Sequence, residues 1–154
     1  MLNDLPDYLF ERVESLTPHL EIECDGPIVV WLKSSLRVNE NPAVDVGRFL
    51  AHSRNLPLLI YQGIDERYPH ASLRHHNMLL ESSVDLNEGF RQQGLRYVLH
   101  VARRGYRPPV MKSFATQASC IITDLFPLPP WTDWTKKLAN MADCPIIQVD
   151  CHCL

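Results

Sequence analysis

A doubly wound α/β fold, Rossmann-like, with five parallel strands and helices on both faces, is what this sequence predicts. Short, wholly apolar, β-branched runs recur along it, the mark of strands covered on both sides. Between them lie longer segments whose apolar residues return at helical spacing. Helix-starting and helix-stopping residues fall at the junctions, as at Asn41-Pro42 and Gly94. Strand and helix in this regular alternation imply right-handed crossovers and a parallel sheet.

Leu5, Leu9, Val13, Leu16 and Leu20 stand at helical spacing and predict an amphipathic helix within residues 5–20, broken by Asp25-Gly26-Pro27. Residues 28–32, Ile-Val-Val-Trp-Leu, read as strand one. Asn41 offers a capping side chain and Pro42 occupies the first helical position, where a missing N–H costs little. That helix turns Val46, Phe49, Leu50 and Ser53 inward, and residues 56–61 follow as strand two, with Gly63 marking its exit. From Ser72 to Gln93 the longest helix carries Leu73, Leu79, Leu80, Val84, Leu86 and Phe90 on a broad apolar face and stops at Gly94. Residues 95–101 make strand three. Residues 109–118 make a helix with Val110, Met111, Phe114, Ala115 and Ala118 inward, and residues 120–124 make strand four. A proline-rich loop then leads to a helix bearing Trp131, Trp134, Leu138 and Ala142 on one face, before strand five at residues 145–149.

Composition narrows the functional classes. A chain of 154 residues with 45% hydrophobic and 21% charged residues is ordinary for one globular domain. At this length it buries roughly 70% of its unfolded surface without disulfides or metal. The expected organisation is a lead-in over residues 1–25 and a single α/β domain over 26–154. A net charge of −3 argues against autonomous nucleic-acid binding, which needs a basic excess. No run approaches the ~20 apolar residues of a membrane span and no signal peptide opens the chain, so a cytoplasmic location is expected. Five cysteines, Cys24, Cys120, Cys144, Cys151 and Cys153, form an odd set read as reduced.

In an open parallel sheet, ligands sit beyond the carboxyl ends of the strands where strand order reverses. The loop after strand one, Lys33 to Asn41, holds no glycine, so it is neither a dinucleotide-binding turn nor a P-loop. It does resemble something else. Residues 31–37, Trp-Leu-Lys-Ser-Ser-Leu-Arg, followed by Glu40-Asn41-Pro42-Ala43, are similar to the photolyase and cryptochrome signature W-x-R-R-D-L-R-x-x-D-N-P-A, with the spacing kept throughout. Trp31, Leu36, Arg37, Asn41, Pro42 and Ala43 match, and Lys33 and Glu40 keep the charge. Ser34 and Ser35 replace an Arg and an Asp. Three further segments look like the class II branch of that family: Ala71 to His75, Ile122 to Leu128, and Gln148 to His152.

The resemblance covers about residues 26–154 and implies an antenna domain. In that family the N-terminal α/β domain holds a light-harvesting chromophore: a deazaflavin, a reduced folate or FMN. A C-terminal helical domain binds FAD and the cyclobutane pyrimidine dimer. The helical domain is not among these 154 residues, so the chain alone is expected not to repair DNA. Its expected partner is an FAD-binding helical domain or subunit. The carboxyl-end geometry then makes Trp31, Lys33, Ser34, Ser35 and Arg37, with Gln62 and Gly63 and with Asp124, Leu125 and Phe126, the candidate chromophore-binding residues.

Plainer readings stand beside these. Arg37 and Glu40 can simply brace the loop while Asn41 caps the helix. The helical spacing of Trp131 and Trp134 suits core packing. Arg103, Arg104 and Arg107 beside Tyr106 suit a solvated loop better than a phosphate contact. His75-His76 and Cys151-His152-Cys153 miss the ligand spacing of structural zinc, so no metal is expected. No nucleophile elbow occurs and no catalytic residue is assigned. Two other functions remain open: a chromophore-free scaffold docking on a separate flavin-binding partner, and a small nucleotide-binding protein of similar architecture.

Overall fold

The computed structural model describes residues 2–18, 21–22, 24–68, 70 and 72–152. A 3-10 turn at Leu2–Asp4 and a short helix α1 (Asp7–Phe10) lead into strand β1 (Val13–Ser15). The doubly wound body follows: β2 (Ile28–Leu32), α2 (Pro42–Arg54), β3 (Leu58–Asp65), α3 (Leu73–Gln92), β4 (Arg96–Ala102), α4 (Val110–Gln117), β5 (Cys120–Asp124), α5 (Trp131–Met141) and β6 (Ile146–Val149). The sheet order is β1-β6-β5-β2-β3-β4.

The five expected strands are present and parallel, and a sixth joins them. β1 pairs antiparallel with β6, Val13 opposite Val149 and Ser15 opposite Ile147. The helix expected within residues 5–20 is therefore one turn of helix followed by an edge strand. Leu5 and Leu9 still reach the core, whereas Leu20 lies outside the described residues. Thr17 secures the end of the strand, its hydroxyl oxygen accepting from the Ile146 N–H at 3.1 Å.

β2 lies between β3 and β5, and every residue of β2 and β5 is buried, as period-two strands covered on both faces require. Val30, Leu32, Ile60 and Ile122 pack under α2 and α3, while Val29, Trp31, Tyr61 and Ile121 pack under α4 and α5. Asn41 caps α2 as expected: its side-chain oxygen accepts from Val44 N–H, and its amide donates to the Ser35 and Arg37 carbonyls at 3.0 and 2.9 Å.

Three details differ from the sequence expectation. β3 runs on to Asp65, so Gly63 lies inside the strand. Ser53 is exposed. On α3 only part of the broad apolar face is inward: Leu86 and Phe90 are buried, whereas Leu73 and Val84 are 78% and 68% exposed and Leu80 is also exposed. Among the described residues, no helix is long and apolar enough to cross a membrane.

Candidate functional site

Strand order reverses at β2, whose neighbours β3 and β5 are reached by crossovers on opposite sides. The carboxyl ends of these strands open onto a cavity of about 850 Å³, on the side of the sheet covered by α4 and α5. Period-two alternation selects its floor. Trp31 of β2, Tyr61 and Gly63 of β3, and His100 of β4 all project to this side. Trp131 and Trp134 from α5 and Tyr68 from the loop after β3 form the wall: Tyr68 meets the two indoles edge-on at 5.9 and 6.0 Å. The two Trp residues thus pack on each other at the cavity rather than in the deep core.

Polar groups are few and placed. The Tyr61 hydroxyl meets His100 Nδ1 at 3.2 Å, and burial pushes the phenol up to about 12, so it stays protonated. A Cβ at Gly63 would stand 3.0 Å from that hydroxyl, so the glycine leaves room for the pair. His100 Nε2 is buried with no hydrogen-bond partner. Lys33 enters from the end of β2. Its ammonium lies 5.0 Å from the Trp31 ring centroid and donates to Thr135 Oγ1 at 2.6 Å. Desolvation lowers it to about 8, opposed by attraction to Asp124. At the outer rim Asp65 binds Arg67 and Arg107, and the hydrogen bonds from Arg67 hold its carboxyl well below the usual range.

Of the residues expected at the site, Trp31, Lys33 and Gly63 line the cavity. Ser34, Ser35 and Asp124 make a separate knot beneath the loop. The buried Asp124 carboxylate accepts from Lys33 N–H at 3.0 Å and, at 2.6 Å each, from Ser34 N–H, Ser34 Oγ–H and Ser35 N–H. Asp124 has the strand parity of Cys120 and Ile122, which face α2, so it lies across the sheet from the cavity floor. Gln62 points the same way and accepts from the Tyr97 hydroxyl at 2.5 Å. Arg37 donates to the carbonyls of Glu40 at 2.8 Å and Cys151 at 2.6 Å, bracing backbone. Leu125 continues the ladder by donating to the Val149 carbonyl, and the Phe126 ring packs on Trp131 at 4.9 Å. Tyr61, Tyr68 and His100 were not anticipated from sequence. The shared parity of Tyr61 with Gly63, and the pairing of Gly63 with His100, are signals for those two residues; Tyr68, in the loop after β3, has none.

Arg107 is neutralised by Asp65 and Glu66. Among the described residues, no group of three or more His, Cys, Asp or Glu converges as metal ligands, and Cys153 lies outside them. Cys24, Cys120, Cys144 and Cys151 are free thiols.

Similarity to known proteins agrees with this architecture. The chain is 28% identical over 141 residues to the deoxyribodipyrimidine photo-lyase of Methanothermobacter thermautotrophicus, covering 91% of this chain and 31% of that protein. It is 26% identical over 145 residues to the deoxyribodipyrimidine photo-lyase of Potorous tridactylus, covering 92% of this chain and 26% of that one. The chain thus spans between a quarter and a third of the curated relatives it matches. Among solved structures, a universal stress protein from Archaeoglobus fulgidus superimposes with a TM-score of 0.52 at 16% identity, covering 81% of this chain and 93% of that one. That likeness shows the shared α/β fold. The sequence model of the DNA photolyase family matches residues 28–154, from the first residue of β2 onward. The chain therefore belongs to the DNA photolyase family, of which it carries the N-terminal α/β domain.

Proposed function

We propose that the cavity at the carboxyl ends of β2, β3 and β4 holds a light-harvesting antenna chromophore, a deazaflavin, a reduced folate or FMN. Such a group, when bound, absorbs near-ultraviolet or blue light and passes the excitation to FAD on a helical domain that repairs cyclobutane pyrimidine dimers. The observation that carries this reading is the buried, unpartnered His100 Nε2 in a cavity walled by aromatic rings. A buried polar atom with no partner is costly, and a planar heteroaromatic ligand with a polar edge supplies what it lacks. In this chain, Trp31, Tyr61 and Trp131 offer apolar faces that exclude water, His100 orients the ligand edge, and Lys33 supplies positive charge.

Absorbance spectra of the purified protein after gel filtration with each candidate chromophore test the proposal. One chromophore is expected to co-elute. Replacing His100 by Leu should weaken its binding about tenfold, the equivalent of one hydrogen bond. Loss of every chromophore from the parent protein would favour a scaffold that docks on a flavin-binding partner without a chromophore of its own.

The nucleotide-binding alternative is less well supported. At the end of β2, where such a fold would offer backbone N–H groups to a phosphate, those donors are already taken by Asp124. Calorimetric titration with ATP should therefore give no binding heat.

A further inference from the structure

Lys33 stands where the family signature has an arginine, and the exchange matters chemically, because an amine can lose its proton and act as a nucleophile while a guanidinium cannot. We propose that Lys33 is a covalent capture site for aromatic aldehydes, which enter the cavity and form an imine with its Nζ. Three features of the geometry support this. The amine opens onto a space of about 850 Å³ walled by Trp31, Tyr61, Tyr68 and Trp131, which suits an aromatic ring. Its hydrogen-bond partner is a neutral hydroxyl: Thr135 gives its own proton to the Trp131 carbonyl at 2.9 Å and accepts from Lys33 at 2.6 Å. Asp124, whose attraction opposes this release of the proton, directs its hydrogen bonds to four donors on the far side of the β2 backbone rather than to the amine.

Burial works in the same direction, bringing the ammonium down to about 8, so that roughly one amine in ten is neutral at neutral pH. The reaction balances without any further reagent. The Nζ lone pair forms a bond to the carbonyl carbon, two amine protons pass to the carbonyl oxygen, and that oxygen leaves as water. The C=N bond replaces C=O. Aldehyde capture needs the cavity free and does not depend on its also taking an antenna chromophore.

Lys112 and Lys137 also line the cavity and are exposed, so they serve as internal controls. The protein is incubated with salicylaldehyde, reduced with borohydride and digested, and the adducts are located by peptide mass spectrometry. Lys33 should be labelled about tenfold faster than Lys112 or Lys137, its gain in neutral amine outweighing the lower intrinsic nucleophilicity of a weaker base. The rate should rise with pH and flatten above about 8. In urea the lysines should react alike. Lys33→Arg should remove the selective adduct while leaving the circular dichroism unchanged. Should that variant fail to fold, the comparison of lysines within the parent protein still decides the matter. Equal labelling of Lys33 and Lys137 in the folded protein, or a rate still rising well above pH ~9, would overturn the proposal.

Discussion

Lys33 makes the stability of the protein depend on pH in the alkaline range. Its folded value of about 8 lies below the ~10.4 of an unfolded lysine. Below both values the side chain is charged in either state, and the folded state bears the full cost of burying that charge. Between them the unfolded chain keeps a proton that the folded chain has released, so stability rises with pH; above both the cost has vanished. Against a Lys33→Met variant, the parent protein should therefore gain in urea midpoint from pH ~8 to ~10.4. Parallel curves for the two proteins would contradict the burial described here. At this scale the sequence was legible where chemistry is local, as in the Asn41 cap, and the motif residues Trp31 and Lys33 line the cavity. Asp124 and Gln62 were placed in the site because they end strands at the correct height. Strand parity then turns them to the other face, which proximity to a strand end does not reveal.

α2 crosses β2 at close range. Gly47 sits within α2, and a Cβ there would lie 2.5 Å from Val30 Cγ2 and 3.2 Å from Leu58 Cδ1. Helix propensity favours alanine by about 1 kcal/mol, but overpacking a buried contact costs about 1–3 kcal/mol. Gly47→Ala should thus destabilise the protein by about 1 kcal/mol in chemical denaturation, the reverse of a solvent-facing helical glycine. The same contact between elements explains which parts of the fold were legible. β2 and β5 announce themselves because burial on both faces leaves only apolar residues. β1 does not: its three residues become a strand through pairing with β6, a long-range ladder, while Leu5, Leu9 and Val13 keep the spacing of a helix. On α3 the sequence offers two apolar stripes, Leu79 with Leu86 and Phe90, and Leu73 with Leu80 and Val84, lying roughly 120° apart around the axis. Periodicity cannot choose between them. The packing of Leu86 and Phe90 into the core against Tyr97 of β4 does.

On the scale of the whole molecule, α3 presents an exposed apolar row among the described residues. Leu73, Leu80 and Val84 form an exposed row along α3, and Met78 adds to the exposed apolar surface of the same helix. Replacing Leu80 by Glu and Val84 by Lys together should leave the stability in thermal unfolding nearly unchanged, within about 0.5 kcal/mol, because neither side chain is in the core. A large drop in thermal stability would mean that the row is packed after all. The cavity, by contrast, is assembled from β2, β3, β4, the first turns of α3 and α4, α5 and the loop after β3. Apart from Trp31 and Lys33 its residues belong to no common motif, so only the sheet order brings Tyr61, His100 and Trp131 to one place.

The knot around Asp124 has a consequence for chemical rescue. Four donors converge on its carboxylate, which does internally what a bound anion does in other proteins. Asp124→Ala should strip those donors of their acceptor and lower stability by about 3 kcal/mol. The space it vacates is then shaped for a small planar oxyanion. Formate or acetate added to the variant should restore part of the lost stability in a saturable way, while chloride at the same ionic strength should not, and the parent protein should respond to neither.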